Sequence, residues 1–250
     1  LTISFNDILR STMERGSRYN PESFDAESVG TKLAFAIEEK DLRSLRVREA
    51  HIGRLQSVNA ITIIGASGVG KSTLGLRLRS LVDESSLENV FSIPQRVTTR
   101  AARADDNPVE GYSCTDDEFD RLIEDDKLAM YWRRSTTNDR YGMLHPKMGT
   151  FPIFVATSTI VKHKTLVPED MLDTSLIVGI YAPDTVKMER VLQRSTDIDE
   201  KDLQYRFNDR AAGIIPKVDV VVKNFGRYQD RSAIDVFQLI KATVEMHSEK

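Results

Sequence analysis

The chain has 250 residues, 40% of them hydrophobic and 29% charged, and carries a formal net charge of −3. This composition is typical of a globular protein long enough to bury a sizeable core, and it excludes a protein that holds nucleic acid by bulk positive charge. Cys114 is the single cysteine, which excludes an intrachain disulfide and argues against a zinc site of clustered Cys and His residues.

The sequence contains no apolar stretch long enough to cross a bilayer. The longest stretch, at 176–182, is far shorter than the roughly 20 residues that a membrane helix needs. The N-terminus lacks the basic-then-apolar pattern of a signal peptide, and with the single cysteine this predicts a reducing, cytoplasmic setting. The chain begins with Leu1 rather than Met, which indicates a trimmed chain or a fragment.

The first 56 residues are predicted to form a helical N-terminal extension to a domain that covers residues 57–250. Residues 18–30 are predicted to be a loop because they combine a proline with several small polar residues. Residues 31–55 are charged and favour a helix. Two roles are open for this extension: packing on the main domain, or a regulatory or dimerising contact with a partner.

From Ala60 onward, predicted strands alternate with predicted helices. Runs of apolar and β-branched residues predict strands at 60–64, 89–97, 128–132, 152–156, 176–181 and 218–222. Apolar residues at helical spacing predict helices at 71–82, 116–124, 184–194, 200–212 and 233–246. This alternation predicts an α/β fold with a mainly parallel sheet covered by helices on both faces.

Residues 65–72 read GASGVGKS and match the full Walker A pattern between a predicted strand and a predicted helix. Glycines let backbone N–H groups turn toward phosphates, and the helix N-terminus adds the positive end of its dipole. Lys71 is expected to reach the β- and γ-phosphates, and the Ser72 hydroxyl to ligate Mg²⁺. The predicted triphosphate-binding residues are Gly65, Ala66, Ser67, Gly68, Val69, Gly70, Lys71, Ser72 and the adjoining Thr73.

A second anion site is predicted downstream, where the segment VTTRAAR places Arg100 and Arg103 three residues apart after a strand. Arginine presents a planar fork suited to phosphate, and the hydroxyl of Tyr112 can add one directional hydrogen bond. Together they suit a phosphate monoester held beside the γ-phosphate. A solvated basic loop with surface ion pairs is the other interpretation of the same residues.

A third cluster lies in the C-terminal part of the chain. Arg190 and Arg194 are one helical turn apart, and Arg206 lies on the next predicted helix. These arginines suit a lid that closes over the triphosphate, stabilises the charge of the transition state and excludes water. Two amphipathic surface helices with ordinary charged faces are the alternative.

In chain order, these segments resemble the guanylate kinase family over about two-thirds of the chain, from residue 61 to residue 224. The matching segments are GASGVGKS at 65–72, VTTRAAR at 97–103, GY at 111–112, DDEF at 116–119, YG at 141–142, ERVLQRSTDIDEKDLQYR at 189–206 and VVVKN at 220–224. The resemblance implies a P-loop α/β core, a small acceptor-binding subdomain and a helical lid, with ATP and Mg²⁺ as the cofactors.

The resemblance also implies a role for each matching side chain. The residues expected to hold the acceptor are Arg100, Arg103, Tyr112 and Tyr141. The residues expected to act on the ATP phosphates in catalysis are Lys71, Arg190, Arg194 and Arg206, and Asn224 is expected near the adenine.

The sequence departs from the family where the family reads its base. Guanylate kinases carry a guanine-reading glutamate in the strand after the small helix, whereas residues 128–132 read LAMYW and contain no acid. Thr157 and Ser158 replace the family's acidic strand end, and Met143 follows the Tyr-Gly pair in place of a serine. A guanine edge without an acceptor would be left unpaired, which argues against guanine specificity.

The loss of these acids, with the phosphate arginines retained, also resembles the ribose 1,5-bisphosphate phosphokinases. These relatives share the P-loop core and act on a sugar phosphate that has no base. The segment LAMYW at 128–132 followed by Tyr141 and Gly142 is similar to theirs. The acceptor class therefore stays open between a nucleoside monophosphate and a sugar phosphate.

Three functions fit the sequence. The first is an ATP-dependent kinase whose acceptor is a phosphorylated small molecule. The second is a catalytically inactive guanylate kinase-like module that binds another protein, although its phosphate loop is complete. The third is an NTPase switch or motor domain, against which stands the absence of an acid at the end of the strand 152–156, where Thr157 follows.

Overall fold

The computed structural model describes residues 43–47, 58–102, 106–134, 137–158, 160, 174–193, 200–209 and 218–248. The predicted loop at 18–30 and most of the predicted N-terminal helix lie outside these residues. The strands among these described residues are β1 (Leu45–Val47), β2 (Ala60–Gly65), β3 (Phe91–Ser92), β4 (Arg96–Thr98), β5 (Gly111–Ser113), β6 (Leu128–Arg133), β7 (Arg140–Leu144), β8 (Phe151–Val155), β9 (Ser175–Tyr181) and β10 (Val220–Lys223). The helices are α1 (Lys71–Glu84), α2 (Asp116–Glu124), α3 (Asp184–Gln193), α4 (Glu200–Asn208) and α5 (Gln229–Ser248), with a 3₁₀ turn at Gly226–Tyr228.

The larger sheet has six strands in the order β1–β10–β9–β2–β8–β3. Neighbouring strands run parallel except for β1, which pairs antiparallel with β10 at the edge. The carboxyl ends of the parallel strands therefore meet at one edge, where ligands bind in open α/β sheets. This confirms the predicted α/β fold with a mainly parallel sheet.

Strand β2 lies inside this sheet, between β9 and β8, and all six of its residues are buried. Alternate residues of a strand point to opposite faces, so burial of every residue requires cover on both sides. The Thr62 hydroxyl, the polar exception, forms a 2.6 Å hydrogen bond with the Ser175 hydroxyl on β9. The central position of β2 places the end of this strand, and the loop that follows it, at the middle of the sheet edge.

Helices α1 and α5 pack against each other and against strands of the larger sheet. Helix α1 contributes Leu74, Leu78 and Val82 to the core, and α5 contributes Val236 and Ile240. These residues recur every three to four positions, so they form one apolar stripe per helix. The packing holds α1 firmly at the carboxyl edge of β2.

The smaller sheet has four strands in the order β5–β4–β7–β6. Its own core consists of Val97, Phe119 and Leu128, with Phe119 supplied by α2. Helix α2 begins at a capping box in which Thr115 and Glu118 satisfy each other's backbone N–H groups. The sheet is joined to the main core through Met130 and Trp132 of β6, so it stands beside the larger sheet.

The single strand predicted at 89–97 is wrong, because the chain forms two short strands in different sheets there. Pro94 lies between them and has no N–H group to donate to a ladder. Its carbonyl accepts a hydrogen bond from Arg79 Nη2 at 3.0 Å. The chain therefore leaves the larger sheet after Ser92 and enters the smaller sheet at Arg96.

The predicted helix at 31–55 is wrong at residues 45–47, which form strand β1 on the core sheet. Leu45 is completely buried, and its strand pairs with β10. This pairing depends on distant residues and outweighs the local preference for a helix. The boundary at residue 56 between an extension and a domain stays a prediction. Strands β5 and β7 were not predicted, because their three and five residues are too short for a clear alternation.

Candidate active site

A cavity of about 300 Å³ opens at the carboxyl edge of the larger sheet, between the Walker A loop and the smaller sheet. The loop side contributes Ser67, Gly68, Gly70, Lys71, Ser72 and Thr73. The smaller sheet and its connections contribute Arg96, Arg100, Asp106, Glu110, Trp132 and Tyr141. Helix α4 and its end contribute Tyr205, Arg206 and Asp209. The volume is at the lower end of the range of small-molecule sites.

The Walker A residues form the turn that the sequence predicts, with β2 ending at Gly65 and α1 beginning at Lys71. Gly68 and Gly70 have φ angles of 79° and 93°, a conformation that only glycine adopts without strain. Lys71 Nζ donates hydrogen bonds to the carbonyls of Gly65 and Ala66, both at 2.8 Å. The lysine therefore curls back over its own loop and lies at the cavity wall.

The back of the loop is held by side chains that follow β10 and by α3. Asn224 is buried, and its Nδ2 atom donates to the Val69 carbonyl at 2.7 Å. Arg190 donates to the same carbonyl at 3.3 Å and to the Asn224 carbonyl at 3.0 Å. These bonds fix the loop from the side opposite the cavity. Arg190 and Asn224 thus support the loop, and their predicted contacts with the ATP phosphates and the adenine stay predictions.

Helix α3 packs so closely on the loop that Gly68 has no room for a side chain. A Cβ atom there would lie 2.6 Å from the Lys187 carbonyl oxygen. Lys187 itself is completely buried, and its Nζ atom donates to the Asp209 carbonyl at 2.7 Å and lies 3.3 Å from Asp184 Oδ1. A buried ammonium needs such partners, so this lysine ties the end of α4 to α3 beside the loop.

The Ser72 hydroxyl contacts the smaller sheet directly. It donates a hydrogen bond of 2.7 Å to Glu110 Oε1, and Arg96 Nη1 lies 3.3 Å from the same carboxylate oxygen. A hydroxyl oxygen and a carboxylate oxygen are the hard donors that Mg²⁺ takes in proteins. The residues around Ser72 therefore fit the predicted metal. Among the described residues, no group of three or more His, Cys, Asp or Glu side chains forms a metal cluster.

Arg100 lies in the cavity wall and is paired with an acid. Its Nη2 atom donates to both carboxylate oxygens of Asp106 at 2.7 Å, and the arginine side chain is 13% exposed. Its backbone N–H donates to the Thr98 hydroxyl at 3.1 Å, which orients the residue at the end of β4. Its Nη1 atom donates to the Ala101 carbonyl at 2.8 Å. The predicted phosphate-binding arginine is thus held in a fixed position at the cavity wall, and a phosphate would have to share or replace these partners.

A stacked aromatic pair and a cation–π pair form the far wall of the cavity. The rings of Trp132 and Tyr141 are stacked, with centroids 5.8 Å apart and an angle of 8° between their planes. The guanidinium of Arg134 lies 5.0 Å from the ring centroid of Tyr205, a cation–π contact that joins the smaller sheet to α4. Tyr141 therefore lines the cavity, and its predicted contact with the acceptor stays a prediction.

The carboxylate of Asp209, directly after α4, contacts the phosphate loop. Asp209 Oδ2 accepts a hydrogen bond of 3.1 Å from the backbone N–H of Ser67. Backbone N–H groups of this loop are the donors that receive phosphate oxygens in P-loop proteins. The contact brings the end of the predicted lid onto the predicted phosphate cradle.

The remaining predicted residues have different outcomes. Tyr112 is 43% exposed on β5 and is not part of the cavity wall; partial burial raises the pKa of its hydroxyl, which keeps it protonated. Arg206 lines the cavity from α4. Arg103 and Arg194 lie outside the described residues. The roles assigned to all these residues stay predictions.

Sequence reasoning missed five charged residues of the cavity wall: Arg96, Asp106, Glu110, Arg134 and Asp209. Glu110 and Asp106 lie in the turn between β4 and β5, which has no motif of its own. Asp209 lies 142 positions from the loop residue it contacts. A signal was present only for Arg96 and Asp106, which flank the predicted arginine segment 97–103.

No family model matches this sequence, and a search of curated proteins finds no match. Among solved structures, the chain is similar to a guanylate kinase from Anaplasma phagocytophilum, with 20% identity, a TM-score of 0.46, and coverage of 76% of this chain and 88% of that one. It is also similar to a gluconokinase from Sinorhizobium meliloti 1021, with 14% identity, a TM-score of 0.38, and coverage of 78% and 99%. The fold is assigned from the strand order and the loop geometry of this chain itself.

Within the part of the chain that the structure describes, the helices are all too short or too polar to cross a membrane.

Proposed function

We propose that this chain is a guanylate kinase-like phosphotransferase that moves the γ-phosphate of ATP onto a phosphate-bearing small molecule. The observation that carries the proposal is that Lys71 of the Walker A loop and Arg100 of the smaller sheet line one cavity. Each is the central side chain of a phosphate-binding segment. Two anion sites facing one space suit the transfer of a phosphoryl group between two phosphates.

Catalysis of this transfer rests on positioning and charge stabilisation, without a covalent intermediate on the protein. Lys71 exchanges the carbonyls of Gly65 and Ala66 for phosphate oxygens, and Arg206 approaches from α4. Ser72 holds Mg²⁺, whose chemistry when bound is to neutralise charge on the phosphates. Arg100 holds the acceptor phosphate, and the wall formed by Trp132 and Tyr141 packs against the rest of the acceptor.

Two acceptor classes follow from the sequence, a nucleoside monophosphate and a sugar phosphate such as ribose 1,5-bisphosphate. Strand β6 has no acid to read a guanine edge. The cavity carboxylates of the described residues already have partners: Asp106 contacts Arg100, Glu110 contacts Ser72, and Asp209 contacts the Ser67 N–H. A polar cavity that offers no carboxylate to accept hydrogen bonds from a base favours the sugar phosphate.

A screen for product formation tests the proposal. The chain is incubated with ATP and Mg²⁺ and, in turn, with GMP, dGMP, AMP, CMP, UMP and ribose 1,5-bisphosphate, and diphosphate products are detected by mass spectrometry. We expect turnover with a member of this set, and none with Lys71→Ala. Absence of product from every acceptor, with the wild-type chain folded, would contradict the proposal.

Titration with ATP and Mg²⁺ separates the kinase from an inactive binding module. A module that kept the fold and lost the reaction needs no triphosphate, so failure of the folded chain to bind ATP in calorimetry would favour the module. The complete Walker A loop and its anchoring by Asn224 and Arg190 favour binding.

A further inference from the structure

Glu110 is the residue through which the smaller sheet contacts the phosphate loop. Its Oε1 atom accepts the Ser72 hydroxyl hydrogen bond at 2.7 Å, and its side chain is 15% exposed. The two residues are 38 positions apart: Ser72 lies in the first turn of α1, and Glu110 lies in the turn just before β5. Carboxylates are rarely buried in proteins unless they are paired, so the position of Glu110 against the Ser72 hydroxyl calls for a functional explanation.

A tight turn holds Glu110 in this position. The Glu110 N–H donates to the Asn107 carbonyl at 3.0 Å, and Asn107 Oδ1 accepts from the Val109 N–H at 2.9 Å. The Glu110 carbonyl in turn accepts from the Arg96 N–H at 3.0 Å, where the turn meets β4. The backbone around the carboxylate is therefore fixed before any ligand arrives, as a metal-binding residue needs.

The end of β8 does not supply a carboxylate, because Thr157 lines the cavity there. Of the other cavity acids in the described residues, Asp106 is bound bidentately by Arg100, and Asp209 is bound by the Ser67 N–H. Glu110 is the acid that contacts Ser72. Magnesium in phosphotransferases is usually held by one or two protein carboxylates in addition to phosphate oxygens and water.

The spacing of the two oxygens suits a shared metal ion. Neighbouring ligands of an octahedral Mg²⁺ at about 2.1 Å lie about 3 Å apart, close to the 2.7 Å between Ser72 Oγ and Glu110 Oε1. We propose that Glu110 is a direct Mg²⁺ ligand that completes, with Ser72, the metal site of the donor triphosphate. This inference rests on the proposed kinase function and extends it to a residue that directly precedes β5 of the smaller sheet.

Arg96 explains how the carboxylate is tolerated before metal binds. Its Nη1 atom lies 3.3 Å from Glu110 Oε1, so the guanidinium balances the charge of the carboxylate. Ser72 and Glu110 would hold Mg²⁺ through one hydroxyl oxygen and one carboxylate oxygen, and the bound ion would supply positive charge to the phosphates. Glu110 would thereby connect the phosphate loop to the smaller sheet.

Calorimetric titration of ADP, first in EDTA and then in Mg²⁺, tests the proposal without relying on turnover. The quantity compared is the gain in ADP affinity that Mg²⁺ produces. We expect Glu110→Gln to lower this gain about 10-fold, as loss of a metal-orienting group does elsewhere. In EDTA the same variant should bind ADP as tightly as the wild type or more tightly, because a negative charge near the phosphates is gone.

The matched control is Glu84→Gln, which removes the charge of an exposed carboxylate paired with the Arg77 side chain at 2.8 Å; it should leave the Mg²⁺-linked gain unchanged. Equal losses of ADP affinity in EDTA and in Mg²⁺, or no change in either, would overturn the assignment of Glu110. If Glu110→Gln does not fold, Ser72→Ala and Glu110→Asp replace it, with losses of the gain expected for both. Failure of the wild-type chain to bind ADP in either condition would instead overturn the proposed function itself.

Discussion

The Walker A loop and the smaller sheet face each other across one cavity, but they are built in different ways. The loop is eight contiguous residues whose conformation follows from glycines at fixed positions. The wall opposite it draws on three strands and a turn, with Arg96, Glu110, Trp132 and Tyr141 brought together by strand pairing. A contiguous motif can be recognised in the sequence, whereas a wall assembled from distant segments depends on the fold.

The two regions also differ in what supports them. The loop is held from behind by buried groups of Asn224 and Lys187. Arg100 and Glu110 of the opposite wall are held by ion pairs that border the cavity. Changes on the loop side should therefore affect the reaction or the stability strongly, and changes on the acceptor side should affect ligand affinity.

The largest effect is expected on the loop side, from Lys71→Ala. Removing the ammonium from the phosphates should lower kcat/KM by about 100-fold or more, the scale seen when one electrostatic donor is lost from an active site. Steady-state kinetics on the acceptor found by screening measures this. Lys147→Ala, an exposed lysine that donates to Asn89, is the control. A decrease of only a few-fold for Lys71→Ala would contradict the assignment.

The second largest effect is expected on the acceptor side, from Arg100→Ala. Loss of a charge-assisted phosphate contact should raise the acceptor KM by about 10- to 100-fold and leave ADP affinity unchanged. Kinetics and calorimetry measure the two quantities separately. Arg77→Ala, an exposed ion-pair arginine, serves as the control. If ADP affinity falls by the same factor as acceptor affinity, Arg100 does not belong to a separate acceptor site.

Asn224→Ala tests the support behind the loop. The substitution leaves the Val69 carbonyl without its 2.7 Å partner and removes the acceptor of the Ser232 hydroxyl at 3.0 Å. The free energy of unfolding should fall by about 1–3 kcal/mol, measured by urea denaturation. Asn89→Ala, at an exposed position, should change it by less than about 0.5 kcal/mol. Equal effects of the two substitutions would show that Asn224 does not support the loop.

Asp209→Asn tests whether the α4 carboxylate competes with phosphate for the loop. The Asp209 carboxylate occupies the Ser67 N–H, so a nucleotide must displace it. Removing its charge should tighten ADP binding by about 2- to 10-fold, measured by calorimetry. Asp230→Asn, an exposed site on α5, should have no effect. Weaker ADP binding by Asp209→Asn would mean that the carboxylate assists the nucleotide.

The smallest effect is expected from Thr115→Ala, which removes the N-cap of α2 in the smaller sheet. The cost should be about 1 kcal/mol of stability, without a change in ADP affinity. Hydrogen bonds from Thr115 lower the pKa of Glu118, so stability from this carboxylate is present above its unfolded pKa of about 4.3 and is lost as the pH falls through the folded value. The difference between wild type and variant in urea should therefore shrink in acid. A difference that grows in acid would contradict this account.

The parts of the molecule predictable from sequence are those that depend on neighbouring residues. The Walker A loop, the buried strand β2 and the helix at Asp116 each carry a local pattern, and the structure confirms all three. The break at Pro94 and the strand at Leu45 were missed, because each depends on which sheet the chain joins. Glu110 was missed for the same reason, because its contact with Ser72 joins the turn before β5 to the first turn of α1, 38 positions away in the sequence.

The most direct test of the central claim is to follow the label of [γ-³²P]ATP in the presence of Mg²⁺ and the acceptor set. A kinase with donor and acceptor sites in one cavity should place the label in an organic diphosphate product, and the transfer should require both Lys71 and Arg100. Label that stays in ATP, or that appears only as inorganic phosphate, would contradict the two-site account.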